Sequence, residues 1–414
     1  MRHIRALALF AAVVSLAGCQ KKKSAQAPEP SATAAAGPAA GDVIVVGHIG
    51  SLTGNEATFG DSTDKGIQLA IEEANANGGV KGRRLKLVTL DDQGKPEEAS
   101  TAATRLAVDS RASIILGEVA SSRSIAMGAV ADERGVPMIS PSSTNPAVTV
   151  LNGKVRPFVF RVCFLDPFQG AVMARFARER LKLARVAVLR DVKNAYSVGL
   201  ADIFHARFQE LDGAIVDDQS YKAGDQDFKA QLTAIKGKKP DGIYVPGYYN
   251  DVALIARQAR ELGMTQPLMG GDGWDSAKLF EIGGRALDGC YYSNHYSPED
   301  PDPRIQEFVA RFKAKNGSIP DTMAALGYDA ARIAVDAMAR ARDLSGAAVR
   351  DAVAATKDFA GITGVITIDA EHNAAKSAVI LAIRDGAARI VAVATPDGRV
   401  IDPPKAAAPP PAAK

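Results

Sequence analysis

The sequence predicts an α/β fold made of two doubly wound parallel-sheet units in tandem. Three observations predict it. From Val43 to Ser293, apolar runs of strand length alternate with amphipathic segments of helix length. The strands are continuous in Val, Ile and Leu, as in a parallel sheet covered on both faces. A chain of 414 residues, 47% of them hydrophobic and with 37 glycines, can bury core enough for about two domains.

Taken in order, residues 1–18 read as a targeting segment. Arg2 and Arg5 form a positive start, Ala6 to Val14 an apolar run too short to span a bilayer as a permanent helix, and Leu16-Ala17-Gly18-Cys19 follows with small residues before a cysteine. This matches a bacterial lipobox, which implies cleavage before Cys19 and lipidation of its thiol. Residues 19–41 are rich in Lys, Ala, Pro and Ser without apolar periodicity and read as a flexible linker. The Ala/Pro-rich end, 396–414, is expected to be disordered.

The first series begins with a strand at Val43 to Ile49. The loop Gly50 to Gly60 leads to a helix with Ile67, Ala70, Ile71 and Ala74 on one face, closed by Asn77-Gly78-Gly79. Strands at Leu85 to Leu90, Ile114 to Leu116 and Pro137 to Ile139 alternate with helices at Glu97 to Val108 and Ile125 to Glu133, and Phe158 to Arg161 follows. In the second series, helices at Phe168 to Leu181, Gly199 to Leu211, Phe228 to Ile235 and Asp251 to Leu262 alternate with strands at Val186, Ile215, Gly242 and Pro267. A short helix near Ser276 and a strand at Gly289 to Ser293 end it. Arg304 to Ala394 is too small for a third unit. Its helices and its strands at Gly364 to Ile368 and Ala378 to Ile383 must pack on the existing sheets, so the chain crosses between domains more than once.

Small hydroxyl residues gather where open α/β sheets bind ligands, at the carboxyl ends of neighbouring strands. Ser121 and Ser122 follow the strand at Ile114, and Ser142-Ser143-Thr144 follow the strand at Pro137. Each cluster stands before a helix start. Each is either a set of ordinary N-caps or an anion site, in which free amides and the helix dipole face a carboxylate. Asp272, between glycines, is either a turn residue or the opposite charge that a zwitterion requires.

Other chemistries find little support. The five histidines are scattered without metal-ligand spacing, no nucleophile elbow or P-loop is present, and Gly271-Asp272-Gly273 is only a fragment of a dinucleotide fingerprint. No cofactor is expected. Formal charge is +3, two units of it on Arg2 and Arg5, and no basic stripe suggests nucleic acid. Cys163 and Cys290 either pair or lie buried as thiols.

Several stretches agree in order and spacing with one family: Gly47-His48-Ile49-Gly50-Ser51-Leu52-Thr53-Gly54, Ala74-Asn75-Ala76-Asn77-Gly78-Gly79-Val80-Lys81-Gly82-Arg83, Asp91-Asp92, and Pro137 to Pro146. Over residues 43 to 395 the chain resembles the type I periplasmic binding proteins of the leucine/isoleucine/valine-binding family. The resemblance implies two Rossmann-like lobes joined by three crossovers, residues 42–162 and 294–372 forming one and 163–293 and 373–395 the other. It also implies site residues. Ser121 matches a carboxylate-binding serine, and Ser142, Ser143 and Thr144 a stretch that holds carboxylate and ammonium. Phe59 matches an aromatic lining the side-chain pocket, and Tyr196 and Tyr248 match tyrosines that close over the ligand. Asp272 stands at an acidic position that pairs with the α-ammonium, occupied by Glu in some members. A cysteine that some relatives carry in the first lobe is Ala120 here, so their bridge there cannot form.

The function expected is therefore transport without catalysis. A monomeric lipoprotein, tethered in the periplasm or at the cell surface only by its lipid, captures a small amino acid, branched-chain ones foremost, and delivers it to an ABC permease. The alternatives keep the fold and bind an amide, a urea or an aromatic acid, or pass the closed state to a signalling partner.

Overall fold

The computed structural model describes residues 43–403, so the targeting segment, Cys19 and the linker lie outside the described residues. The first lobe is a sheet of β1 (Val43–Gly50), β2 (Arg84–Asp91), β3 (Ile114–Leu116), β4 (Met138–Ser140) and, after a short hairpin β5 (Val150–Leu151) and β6 (Lys154–Val155), β7 (Val159–Arg161). Its strand order is β2-β1-β3-β4-β7, all parallel.

Successive side chains of these strands face opposite sides, and both sides are covered. Ile114 and Leu116 face a core shared with α1 (Ala57–Ala76), whereas Ile115 faces the core of α2 (Pro96–Val108) and α3 (Ser121–Arg134). Strands read as unbroken Ile-Ile-Leu because neither face meets water. α1 ends at Asn77, where Gly78 and Gly79 take positive φ that other residues adopt at a cost.

The second lobe begins with α4 (Asp166–Arg175). It continues through β8 (Arg185–Asp191), α5 (Ala195–Glu210), β9 (Ala214–Tyr221), α6 (Lys229–Gly237), β10 (Gly242–Tyr244) and α7 (Tyr249–Glu261). After β11 (Leu268–Gly270), α8 (Ala277–Gly283) and β12 (Tyr291–Asn294) the chain returns to the first lobe. There α9 (Pro303–Asn316), α10 (Thr322–Arg340) and α11 (Gly346–Ala354), with a small hairpin β13 (Phe359–Gly361) and β14 (Gly364–Ile366), pack on the α1 face. Helices α1 and α10 lie so close that a Cβ on Gly66 would stand 2.0 Å from the Ala324 carbonyl oxygen. The chain then adds β15 (Ala378–Arg384), β16 (Ala387–Ala394) and β17 (Val400–Ile401), giving the order β17-β16-β15-β12-β11-β10-β8-β9. It thus passes between the sheets three times: between β7 and α4, β12 and α9, and β14 and β15.

One expectation needs correction. The end of the chain was expected to be disordered from residue 396, yet Val400 and Ile401 pair with Ala394 and Val393, after a turn in which Gly398 N–H donates to the Thr395 carbonyl (2.7 Å). Arg180 adds an ion pair to Asp402 (2.8 Å). Backbone pairing orders this segment without any need for apolar periodicity, and residues from 404 on lie outside the described residues. Of the two readings left open for the thiols, the structure has the unpaired one: Cys163 and Cys290 are both free and fully buried.

Candidate functional site

The cleft wall of the first lobe is assembled around one buried acid. Glu118, in the loop after β3, is wholly buried, and its carbonyl accepts from the hydroxyls of Ser124 (2.7 Å), Ser140 (2.6 Å) and Ser143 (3.1 Å). Its carboxylate accepts from the amides of Ala120 (2.6 Å) and Ser51 (3.2 Å) and pairs with Arg123 Nε (3.0 Å). Glu118 therefore ties the start of α3 to the loop after β4. Arg123 also meets Glu56 (2.7 Å), and Asp92 lies beyond at 3.8 Å, where burial and the neighbouring Glu118 push its carboxyl up to about 7.

On this frame stand the expected hydroxyl residues. Ser121 opens α3, whose first amides have no intrahelical acceptor, and its Oγ accepts from Asn145 N–H (3.2 Å). Thr144 is fully buried, its hydroxyl accepting from Gln169 Nε2 (3.4 Å) of α4 and its carbonyl from Asp166 N–H (2.9 Å). Ser142 is buried beside it. Ser143 departs from expectation: its hydroxyl turns inward to Ser124 (2.6 Å) and the Glu118 carbonyl, so it braces the loop instead of offering an oxygen to a ligand.

The second lobe brings aromatic rings and an acid. Asn194 caps α5 and aims Tyr196, whose hydroxyl accepts from Gly273 N–H (3.2 Å). The rings of Tyr196 and Tyr248 stack at 5.2 Å, and Phe59, from the first turn of α1, packs edge-on against Tyr248 (5.6 Å) and Tyr249 (4.9 Å). Asp272 follows β11. A Cβ on Gly271 would come within 2.5 Å of the Tyr196 hydroxyl, and one on Gly273 within 2.8 Å of Tyr248, so glycines on either side let the rings lie against this turn.

The lobes are closed on each other. Ser122 Oγ accepts from Ala195 N–H (2.9 Å), Asn145 Nδ2 donates to the Ala195 carbonyl (2.8 Å), and the Tyr249 hydroxyl donates to the Asn55 carbonyl (2.7 Å). Thr58 and Ser276 bond hydroxyl to hydroxyl (2.9 Å), and Asp275 accepts from Thr322 N–H (2.9 Å). Phe59, Ser121, Ser142, Ser143, Thr144, Tyr196, Tyr248 and Asp272 are each at most 8% exposed, so all eight are buried.

Within that enclosure several polar atoms lack partners. Asp272 Oδ2 meets His295 Nε2 (3.0 Å), but its Oδ1 is buried and unpaired, as are Asp166 Oδ2 and the Tyr244 hydroxyl. Burial pushes the Asp166 carboxyl up to about 7, and it raises the Tyr196 and Tyr248 phenols well above their ordinary range. Among the described residues no group of three or more His, Cys, Asp or Glu could hold a metal ion. Glu118 and His295 were missed by sequence reasoning. The only local signal for Glu118 was an acid between an Ile-Ile-Leu strand and a hydroxyl loop, and none marked His295 in its crossover.

Two doubly wound lobes, joined by three crossovers and closed on a buried polar cleft, define the class as a type I periplasmic binding protein. Comparison narrows it further. A family model described as "Periplasmic binding protein" matches residues 43–387. A "Leucine-, isoleucine-, valine-, threonine-, and alanine-binding protein" of Pseudomonas aeruginosa is 30% identical over 330 residues, 80% of this chain and 87% of that one. Two crystal structures superpose closely. A leucine binding protein, LivK, from Thermotoga maritima is 42% identical with a TM-score of 0.81, covering 86% of this chain and 99% of its own. A branched-chain amino acid transporter substrate binding protein, LivJ, from Streptococcus pneumoniae in complex with isoleucine is 33% identical with a TM-score of 0.80, covering 87% and 100%. The chain belongs to the periplasmic binding protein family, in its branched-chain amino acid branch, whose members bind substrates and are not enzymes.

Proposed function

We propose that this protein captures a free amino acid with a small apolar side chain, leucine, isoleucine or valine first, between its lobes and delivers it to an ABC permease. It does so as a monomer held at the membrane by a lipid on Cys19. The observation that carries the reading is Asp272 Oδ1, a carboxylate oxygen buried without a partner in a sealed cleft. An isolated buried charge is costly, and an α-ammonium is the complement that would relieve it.

The opposite charge of such a ligand suits the first lobe. The hydroxyls of Ser121 and Thr144 and the leading amides of α3 take the α-carboxylate, helped by the positive end of the helix. Ser142 and Thr144 share the ammonium with Asp272, while Tyr196 and Tyr248 cover the backbone of the ligand and Phe59 meets its side chain. The leucine- and isoleucine-binding relatives support the choice of side chain.

A thermal-shift screen of the free amino acids tests this. At about a hundred times its dissociation constant a true ligand adds about 2.7 kcal/mol of stability, a shift of several degrees. Stabilisation by leucine, isoleucine or valine is expected. Stabilisation only by an amide, a urea or an aromatic acid would overturn the role given to Asp272. For the anchor, Cys19→Ala should leave the exported protein in the soluble fraction, and its recovery with membranes would exclude a lipid at Cys19 as the tether.

A further inference from the structure

His295 lies in the second crossover with its side chain wholly inaccessible, its ring stacked on Phe164 at 3.5 Å between centroids. Its Nε2 stands 3.0 Å from Asp272 Oδ2, and its Nδ1 is buried without a partner. An ionised carboxylate can only accept, so Nε2 carries a proton; Nδ1 has no acceptor for a second one, and burial disfavours the charged ring. The imidazole is thus neutral, with one nitrogen committed to Asp272.

That commitment matters because Asp272 has little else to orient it. Its neighbours in the chain are glycines, and its other oxygen has no partner. A carboxylate tied at Oδ2 can present Oδ1 in one direction only. We propose that His295 is the positioning residue of this site: its Nε2–H holds Asp272 so that Oδ1 faces the ligand's ammonium, and a second proton on the ring releases the ligand.

This rests on the amino-acid reading above and extends it to regulation. A neutral histidine leaves the full negative charge of Asp272 to the ligand. An imidazolium would neutralise that charge within the protein and compete with the ammonium for it. The charged groups around the ring are Asp272 and Asp275 from the turn after β11 and Lys376 from the third crossover, and Asp166 of α4 faces Asp272. Burial lowers the pKa of His295 against the pull of Asp272, which puts the second protonation on the acid side of the ordinary histidine range. Binding is therefore complete above that range and weakens as pH falls through it. Asp166, raised to about 7, titrates nearby, so the contribution of His295 is the difference between wild type and a variant that cannot titrate at 295.

Two substitutions separate the roles. His295→Gln can still give an N–H to Asp272 but does not titrate, whereas His295→Phe keeps the stack on Phe164 and gives Asp272 nothing. With leucine as probe, calorimetric Kd values between about pH 5 and 8 should show the Phe variant weaker by about tenfold to a hundredfold at the neutral end. The Gln variant should bind within a few fold of wild type there, with a flatter dependence at the acid end. A Phe variant equal to wild type, or a Gln variant with the wild-type pH profile, would overturn the proposal. If neither variant melts cooperatively, ¹⁵N NMR of the wild-type imidazole decides: a proton on Nε2 alone at neutral pH is expected, and a proton on Nδ1 alone overturns it. Failure of wild type to bind leucine at all would strike the amino-acid reading, and the same NMR tautomer would still judge the His295–Asp272 bond.

Discussion

The two walls of the cleft are built on opposite principles. In the first lobe the hydroxyls of Ser121, Ser143 and Thr144 all have partners, and Glu118 gathers the bonds of both loops onto one residue. In the second lobe Asp272, Asp166 and Tyr244 keep buried oxygens with no partner, on a wall of stacked rings. The hydroxyl loops of the first wall are satisfied among themselves, with Asp92 Oδ2 and Arg123 Nη2 the orphans behind them, whereas the orphaned oxygens of the second wall gather around Asp272. An unsatisfied buried group costs more than a satisfied one contributes, so the second lobe gains most from a ligand and the first pays least to receive one.

The largest expected effect comes from breaking the unfinished wall. Asp272→Ala removes the acid proposed to pair with the ammonium and should weaken leucine binding by about 2 to 5 kcal/mol, thirtyfold or more, in a calorimetric titration. Its ligand-free melting temperature should fall less than that of Glu118→Ala, because the only side-chain bond it breaks is the one from His295. Glu118→Ala should do the reverse. It strips Arg123 of a buried partner and leaves the buried amides of Ala120 and Ser51 without their acceptor, at a cost of about 3 to 5 kcal/mol in unfolding free energy by denaturant titration. Equal loss of stability in both variants would erase the contrast between the walls.

Smaller changes sharpen it. Gly273→Ala forces a Cβ to within 2.8 Å of Tyr248 and should displace the stacked rings, weakening binding by about 1 to 3 kcal/mol. The same wall can also be probed through pH, with stability as the readout. Asp166 has a folded pKa raised to about 7 from an ordinary value of 3.8, so the folded state holds a proton that the unfolded chain has lost. Its stabilisation is present at low pH and is lost as pH rises through about 7. Asp166→Asn should flatten the ligand-free melting temperature over that window, and an unchanged profile would mean that Asp166 is ionised throughout.

The first wall was also the more legible of the two in the sequence. Ile114-Ile115-Leu116 and Pro137 to Ile139 read as buried parallel strands because both faces of the sheet are covered, and hydroxyl residues at their carboxyl ends marked the loops. What could not be read was convergence. Glu118 collects partners from residues 51 to 143, and His295 reaches Asp272 from the second crossover; neither contact leaves a local pattern. Ser142, Ser143 and Thr144 looked alike, and only the turn of the loop sends Ser143 inward. The strands β16 and β17 were a different kind of miss, since Asp385-Gly386, both with positive φ, is a hairpin signal that stood in plain view between β15 and β16.

One measurement tests the division of labour between the walls most directly: the Kd values of leucine and of its des-amino analogue, 4-methylpentanoate, for wild type and Asp272→Ala. If the first lobe reads the carboxylate and the second the ammonium, wild type should prefer leucine by at least about thirtyfold, and the substitution should bring the two ligands to within a few fold by weakening leucine alone. A variant that still prefers leucine by the wild-type margin would contradict the account.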